Sequence, residues 1–264
     1  MIGIWQVLAE FIFRVTFGVS LAMAATPARL VTAGFYRVHL WVLMGLNTFA
    51  ALIVFSMHDS FVDVKADWRM TFGLAVALAV ISYVGAVVWL YEQRGLGFYV
   101  LVAVSGLGLV AGASAAAWDP LIGNAGVLLA LLDLVAGGLL LGVTLSGMFL
   151  GHWYLNTPGM DLVPLKRLVL LMFAAVLLRT AVSGTGFVLQ MSHGPPAQFM
   201  FWTLLAFRWL SGVLGTLAMA WLAWNTLKVP NTQSATGILY AGVILAFLGE
   251  LVSQLLSVGL LYPV

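Results

Sequence analysis

The sequence predicts an all-α integral membrane protein, a polytopic transmembrane bundle of about eight helices with both termini on the non-cytoplasmic side. Three observations predict this fold. First, 63% of the 264 residues are apolar and 8% are charged, whereas a soluble domain is about half apolar and about a quarter charged. Second, eight apolar stretches each approach the roughly 20 residues that a helix needs to cross the lipid hydrocarbon. Third, lysine and arginine are concentrated in the loops on one side.

The eight stretches form a single predicted membrane domain over residues 1–264. The first stretch lacks the basic residues that precede the apolar core of a secretory signal, and we interpret it as a retained first helix. Short gaps between the stretches predict that consecutive helices are antiparallel neighbours. The predicted spans are approximately 4–24, 36–57, 70–91, 97–118, 125–152, 165–191, 198–224 and 237–261.

Each gap between spans carries a loop signal of glycine, proline or charged residues. In chain order these signals are Pro27 with Arg29, the acidic segment 58–67, then 92–95, 118–120, 156–159, 193–196 and 228–231. The distribution of basic residues among the loops predicts the orientation. Only Lys65 and Arg69 belong to the loops of one side. The loops of the other side carry six basic residues: Arg29, Arg37, Arg94, Lys166, Arg167 and Lys228. These six are the first set. We therefore expect the first set to face the cytoplasm, in the bacterial inner (cytoplasmic) membrane.

Glycines at four-residue spacing in the fourth and fifth spans predict close helix packing, because small residues let helix backbones approach each other in lipid. They are Gly108, Gly112, Gly138, Gly142, Gly147 and Gly151. A short internal match also stands out. Phe13-Arg14 is followed by Gly18-Val19, and Phe207-Arg208 is followed by Gly212-Val213. Duplication and chance both stay open as explanations, since duplication is common in transporter folds.

Six ionisable residues lie inside the predicted spans: Glu10, Arg14, Asp133, Arg179, Arg208 and Glu250. Each costs about 2.5–3.5 kcal/mol at a helix centre, so we expect them in the bundle interior or in a watery cavity. At about 1.5 Å of rise per residue they lie roughly 9–17 Å from the outer ends of their spans, in one layer near the midplane. Gln254, one turn after Glu250, continues that polar face.

Two interpretations of this charged layer stay open. Three acids balance three bases, and buried ion pairs can fix helix register without any further role. Alternatively, the layer is a proton or ion path or a polar substrate pocket, because intramembrane charge is associated with function. The spacing of Glu10 and Arg14, four residues apart, predicts an ion pair along the first helix.

Histidines and aromatic residues predict a second site, at the cytoplasmic end. Imidazole can hydrogen-bond a quinone oxygen and pass protons, and indole and phenol groups at the interface suit an amphipathic ring. The candidate quinone contacts are His39, Asn47, His152, Trp153 and Tyr154. Weak haem-ligand candidates are His39 and His152 at this end, and His58 and His193 at the other. Haem b is not favoured, because His39 and His58 point about 100° apart on one helix.

Several function classes are excluded by absent motifs. The chain has no cysteine, so it holds no thiolate metal site and no cysteine-ligated iron–sulfur cluster. It lacks a phosphate-binding loop and a zinc-protease motif, and its net charge of +2 does not indicate nucleic-acid binding. We expect a chain that is not catalytic alone.

The expected function is that of an integral membrane subunit of a redox or energy-coupling complex. Such a subunit would contact lipid, anchor protein partners, and contribute to electron transport through a quinone site and a proton path. Two alternatives stay open. One is a secondary transporter or ion-coupled permease with its site in the midplane charges. The other is an architectural, lipid-binding subunit.

Overall fold

A computed structural model describes residues 3–63, 67–116, 123–157, 159–194, 199–229, 231–258 and 260–264. The described chain consists of helices and short connections, and no strand occurs in these ranges. Parts of several predicted loops lie outside the described residues, as do the predicted end of the fourth span at position 118 and the predicted start of the seventh at position 198. The affected loop positions are Lys65, 118–120, Pro158, 195–196 and Pro230.

Within these described ranges, eight helices are long and apolar enough to cross a membrane, which confirms the predicted all-α membrane bundle. The first four are α1 (Ile4–Ala25), α2 (Ala33–Ser56), α4 (Trp68–Leu90) and α5 (Arg94–Ala115), with the short α3 (His58–Asp63) between α2 and α4. They are followed by α6 (Gly123–Asn156) and α7 (Val163–Ser192). The seventh span comprises α8 (Phe199–Arg208), a π-helical segment (Trp209–Gly215) and α9 (Thr216–Thr226). The eighth span is α10 (Thr232–Ser257). It ends before position 261, where its sequence pattern predicts the end.

Contacts near helix ends establish the direction of the spans. Gln6, near the start of α1, donates to the carbonyl of Ala115 at the end of α5 at 2.8 Å. Gly186 lies near the end of α7. A Cβ at this position would contact Pro263, near the end of the chain, and Leu129, near the start of α6. Because α6 starts at the end of the bundle where α5 finishes, both ends of the described chain lie at the same end of the bundle. That this end faces away from the cytoplasm is the prediction from the loop charges.

Helices α1 and α6 form the centre of the bundle. α1 packs on α2, α5, α6 and α10, and α6 packs in addition on α7 and α10. The perimeter carries large apolar side chains that are more than half exposed, such as Leu177, Val188, Leu214 and Ile244. Such a surface matches lipid rather than water as the surrounding solvent.

Glycine brings the backbones of α1 and α6 into contact. A Cβ on Gly18 would overlap the carbonyl group of Gly138, and a Cβ on Gly142 would overlap the backbone of Gly18. Glycine therefore allows a closer crossing than any other residue could. Because Arg14 lies one turn before Gly18 and Asp133 lies little more than one turn before Gly138, this crossing sets the two charged side chains beside each other.

A second close approach joins the π-helical segment to α10. A Cβ on Gly212 would lie 2.9 Å from Cα of Gly249. The two halves of the internal match thus share a structural role. In each half, a glycine lies at a helix crossing and an arginine lies four residues before it. The wider π-helical turn begins directly after Arg208, and single π-helical turns often occur at functional sites.

Candidate functional site

Four charged side chains from four helices meet inside the bundle. Arg14 of α1, Asp133 of α6, Arg179 of α7 and Glu250 of α10 are 7%, 4%, 1% and 2% exposed, in that order. Arg179 lies between the two acids: its Nη1 donates to Asp133 Oδ1, and its Nε donates to Glu250 Oε1 at 2.6 Å. Arg14 Nη1 donates to Asp133 Oδ2 at 2.9 Å and lies 4.0 Å from Glu250 Oε2. We call these four residues the ion network.

Polar groups of α10 complete the shell around both arginines. The Ser253 hydroxyl accepts a hydrogen bond from Arg179 Nη2 at 2.9 Å. In the amide orientation that satisfies its neighbours, Gln254 accepts from Arg14 Nε at 3.3 Å and donates to the carbonyl of Val7 at 3.1 Å. Hydrogen bonds between ionised groups are the strongest of their kind, and two acids neutralise two bases here. The ion network therefore ties α1, α6, α7 and α10 together in the membrane interior.

Gly137 provides the space that the ion network occupies. A Cβ at this position would lie 2.5 Å from Glu250 Oε2 and 2.8 Å from Arg14 Nη1. We therefore expect Gly137→Ala to push these two groups apart and to destabilise the protein by about 1–3 kcal/mol, measured as a lower melting temperature in detergent.

Gly184→Ala on α7 is the matched control, because a Cβ there meets nothing within 4 Å. Alanine is favoured over glycine in a helix by roughly 0.5–1 kcal/mol, so this control is expected to be neutral or slightly more stable. Equal melting temperatures for the two variants would contradict the packing described around Gly137.

Arg208 lies beside the ion network but is bonded differently. It is 1% exposed, its Nη2 donates to the hydroxyl of Ser183 on α7, and its Cζ lies 5.1 Å from the ring centroid of Trp209. No carboxylate of the described chain lies within 4.0 Å of it. Its Nη1 is buried and has no hydrogen-bond partner. Arg208 is thus a buried cation without a counter-charge in contact.

The predicted ion pair between Glu10 and Arg14 is wrong. Arg14 turns across the helix crossing to Asp133, which it reaches at 2.9 Å, and no ion pair involving Glu10 occurs in the part of the chain that the structure describes. Glu10 accepts instead from the amide of Gln6 at 3.3 Å. Of the three acids in the spans, Glu10 is the one without an arginine in contact among the described residues.

The five candidate quinone contacts separate into different environments. Asn47 is buried and bonds Thr16 of α1, with its Nδ2 donating at 3.0 Å. The His152 ring faces Tyr240, with Nδ1 at 3.4 Å from the hydroxyl, and the Tyr154 hydroxyl donates to the carbonyl of Asp161. These three side chains do not form one pocket.

His39 and Trp153 do come together. The His39 ring centroid lies 4.4 Å from that of Phe35, 4.3 Å from that of Phe149 and 6.4 Å from that of Trp153. Its Nδ1 lies 2.7 Å from the carbonyl oxygen of Phe35, so Nδ1 donates there and Nε2 is left as an acceptor. We call these four side chains the aromatic cage.

A separate cleft of about 240 Å³ lies at the same end of the bundle. Its walls include Thr26, Tyr36, Trp89, Phe98 and Arg167, and neither His39 nor His152 contributes to it. Tyr36 and Trp89 are stacked with ring centroids 4.0 Å apart. This cleft and the predicted contact residues His39 and His152 therefore do not coincide.

The weak haem-ligand candidates at the other end have local partners. His58 Nε2 lies 3.3 Å from Asp59 Oδ1, and the ring of His193 lies 5.4 Å from that of Tyr262. Within the described ranges, no group of three or more His, Asp or Glu side chains is arranged to hold a metal ion.

The segment 260–264 folds back between α7 and α10. Gln190 Oε1 accepts from the backbone N–H groups of Leu261 and Tyr262 at 3.2 and 3.3 Å. Ser253, which also binds Arg179, donates to the backbone oxygen of Val264 at 2.7 Å. This segment covers the polar interior at the end of the bundle where the chain ends meet.

Gln6 and Gly137 are contributors to the charged site that were not predicted from the sequence. Gln6 holds Glu10 and reaches Ala115, and Gly137 leaves room for the ion network. The signal for Gln6 was its position one turn before Glu10 on the same face. Gly137 had no such signal, because it lies outside the four-residue glycine spacing that singled out Gly138 and Gly142.

Comparison with models of known protein families, with curated proteins and with solved structures finds no match to this chain. The ion network, Arg208 and the aromatic cage are therefore the features of the molecule that indicate a function.

Proposed function

We propose that this chain is an integral membrane subunit of a redox or energy-coupling complex, in which the layer of buried charges contributes a proton path. The observation that carries the proposal is the ion network itself. Four helices each contribute one charged group to it, and such groups in a membrane interior are associated with ion and proton movement. Redox centres would be supplied by partner subunits, because the spans are joined by short connections.

The three acids have different hydrogen-bonding capacities, which assigns them different roles in the proposed path. Both oxygens of Asp133 accept from arginines, so Asp133 holds the arginines in place. Glu250 Oε2 has no hydrogen-bond partner, and Glu10 accepts only from Gln6. Glu10 and Glu250 are therefore the acids with free acceptor capacity that could take up and release a proton.

The quinone part of the proposal is supported by the aromatic cage. His39 Nε2 is free to accept a hydrogen bond, because Nδ1 donates to the carbonyl of Phe35. A quinol hydroxyl could donate to this acceptor, and the rings of Phe35, Phe149 and Trp153 pack around the imidazole. Of the five predicted contacts, His39 and Trp153 are the two that this arrangement favours.

A mild-detergent purification from native membranes tests this proposal. We expect redox subunits and a cofactor absorption spectrum to accompany the chain. If the chain purifies alone and colourless, the redox-complex proposal fails.

Within that complex, Glu250→Gln is expected to lower proton-coupled turnover by at least about tenfold, the scale of a lost proton-transfer group. Glutamine keeps an oxygen for Arg179 Nε but cannot carry a proton, so assembly is expected to survive. Glu92→Gln, an exposed change in the connection between α4 and α5, is the matched control. Unchanged turnover in an assembled Glu250→Gln complex would remove Glu250 from the proton path.

A secondary transporter or ion-coupled permease is the second candidate, and the π-helical segment beside Arg208 favours it. Transporters often place irregular helices at the midplane next to their binding site. The purified chain reconstituted alone in liposomes would then carry an ion or solute flux that Glu250→Gln abolishes. Absence of flux across a panel of ions, together with co-purifying redox subunits, would decide for the first candidate.

A further inference from the structure

The charges around Arg208 do not balance. The charged groups that act on it are Arg179, Glu250 and Asp133. Both acids already bind Arg179, and Asp133 binds Arg14 as well. Arg208 therefore adds one positive charge to a neutral ion network, in a position that is 1% exposed. A buried charge without a counter-charge is strongly destabilising.

Two hydrogen-bond donors beside Arg208 are unused. Nη1 of Arg208 is buried and has no partner. The Ser183 hydroxyl accepts from Arg208 Nη2, and its own proton has no acceptor among the described residues. Nη1 belongs to the same planar guanidinium as Nη2, and the Ser183 hydroxyl contacts Nη2, so both unused donors lie next to the Nη2 group.

We propose that Arg208 and Ser183 bind a small monovalent anion, a halide or a carboxylate group, inside the membrane. Arg208 is the one arginine of the buried layer with no acid of the described residues in contact, so one small negative charge would satisfy it. A lipid phosphate is excluded as the source because Arg208 is buried within the bundle and lies roughly 14–15 Å deep in its span. The site uses neither Glu10 nor Glu250, the two acids that are proposed to take up and release protons.

The surrounding packing holds the site in place. Leu205 and Val264 are buried in the same apolar cluster, against which Trp209 packs. The Trp209 ring covers the guanidinium at 5.1 Å, and the close approach of Gly212 to Gly249 fixes the π-helical segment against α10. A fixed guanidinium in apolar surroundings binds an anion more strongly than one in water, since the local dielectric constant is low.

The test is an anion titration of the purified protein in detergent. Chloride, nitrate and acetate are each compared with sulfate at equal ionic strength. We expect a saturable rise in melting temperature of roughly 3 °C at ten times the dissociation constant for a monovalent anion. Halide or carboxylate binding is then distinguished by which of the three anions binds tightest. Identical curves for the monovalent anions and sulfate would overturn the proposal.

Variants assign the effect to the site. Arg208→Gln is expected to raise the dissociation constant about tenfold or more, and Ser183→Ala about threefold to tenfold, the range for charged and neutral hydrogen bonds. Arg29→Gln, at an exposed arginine, is the matched control and should bind as the unmodified protein does. If Arg208→Gln does not fold, Ser183→Ala decides. Unchanged affinity in Ser183→Ala, or in a folded Arg208→Gln protein, would also overturn the proposal.

Iodide gives an independent readout. Trp209 lies against Arg208, so bound iodide is expected to quench its fluorescence with a saturable component. That component should be absent in the Trp209→Phe protein. In the Ser183→Ala protein it should saturate at a higher iodide concentration. Purely linear quenching of the unmodified protein would contradict an anion beside Trp209.

Discussion

Arg179→Leu is expected to destabilise the bundle by about 3–5 kcal/mol, the cost of breaking a buried ion pair. Arg179 binds Asp133, Glu250 and Ser253. Its loss leaves Arg14 as the one arginine near both acids, at 2.9 Å from Asp133 and 4.0 Å from Glu250. The measurement is the yield and melting temperature of monodisperse protein in mild detergent. Arg29→Leu, at an exposed arginine, controls for the loss of one positive charge.

A second variant separates charge from packing. In Arg179→Leu/Glu250→Leu one unpaired acid is removed together with the arginine, so part of the lost stability should return. If the Arg179→Leu protein had the same melting temperature as the unmodified protein, the two acids would have to be neutralised in another way. The architectural alternative makes a further prediction here: any Arg179→Leu protein that still assembles would support full activity.

Gly18→Val is expected to have the second-largest effect. A side chain at this position would overlap the backbone of Gly138 and Gly142, so α1 and α6 must separate. The cost is at least about 1–3 kcal/mol, because overlap with rigid backbone cannot be relieved by side-chain rotation. The separation also stretches the Arg14–Asp133 ion pair. A lower melting temperature and weaker assembly measure the effect.

Gly45→Val is the control for this change, because a Cβ on Gly45 meets nothing within 4 Å. Both variants carry the same small penalty for a β-branched residue in a helix. The difference between them therefore measures the helix crossing. A difference close to zero would contradict the backbone contact between α1 and α6.

Hydropathy predicts the fold well because lipid imposes one simple requirement on each span. All eight spans follow from length and composition alone, since every backbone group in the hydrocarbon must be satisfied within a helix. The same reasoning identifies Arg14, Asp133, Arg179 and Glu250 as interior residues. Helical periodicity indicates on which face a residue lies, and for these residues that face is buried.

Periodicity does not indicate the partner across the interface. The four-residue spacing of Glu10 and Arg14 predicts an ion pair, but Asp133 of another helix binds Arg14 instead. His39 and His152 belong to the same end of the bundle and still face different neighbours. Which helices adjoin is decided by local crossings such as that at Gly18. In the sequence, the glycines at these crossings cannot be distinguished from the many other glycines of the chain.

The order of synthesis gives the ion network a consequence for membrane insertion. Arg14 and Asp133 are 119 positions apart, whereas Asp133 and Arg179 are 46 apart on consecutive spans. Helices α6 and α7 can therefore enter the bilayer as a hairpin with their charges already paired. Arg14 lacks its partner Asp133 until α6 is made, and an arginine at a helix centre costs about 2.5–3.5 kcal/mol to insert. α1 is therefore expected to stay bound to the insertion machinery or to a chaperone until α6 has entered the bilayer.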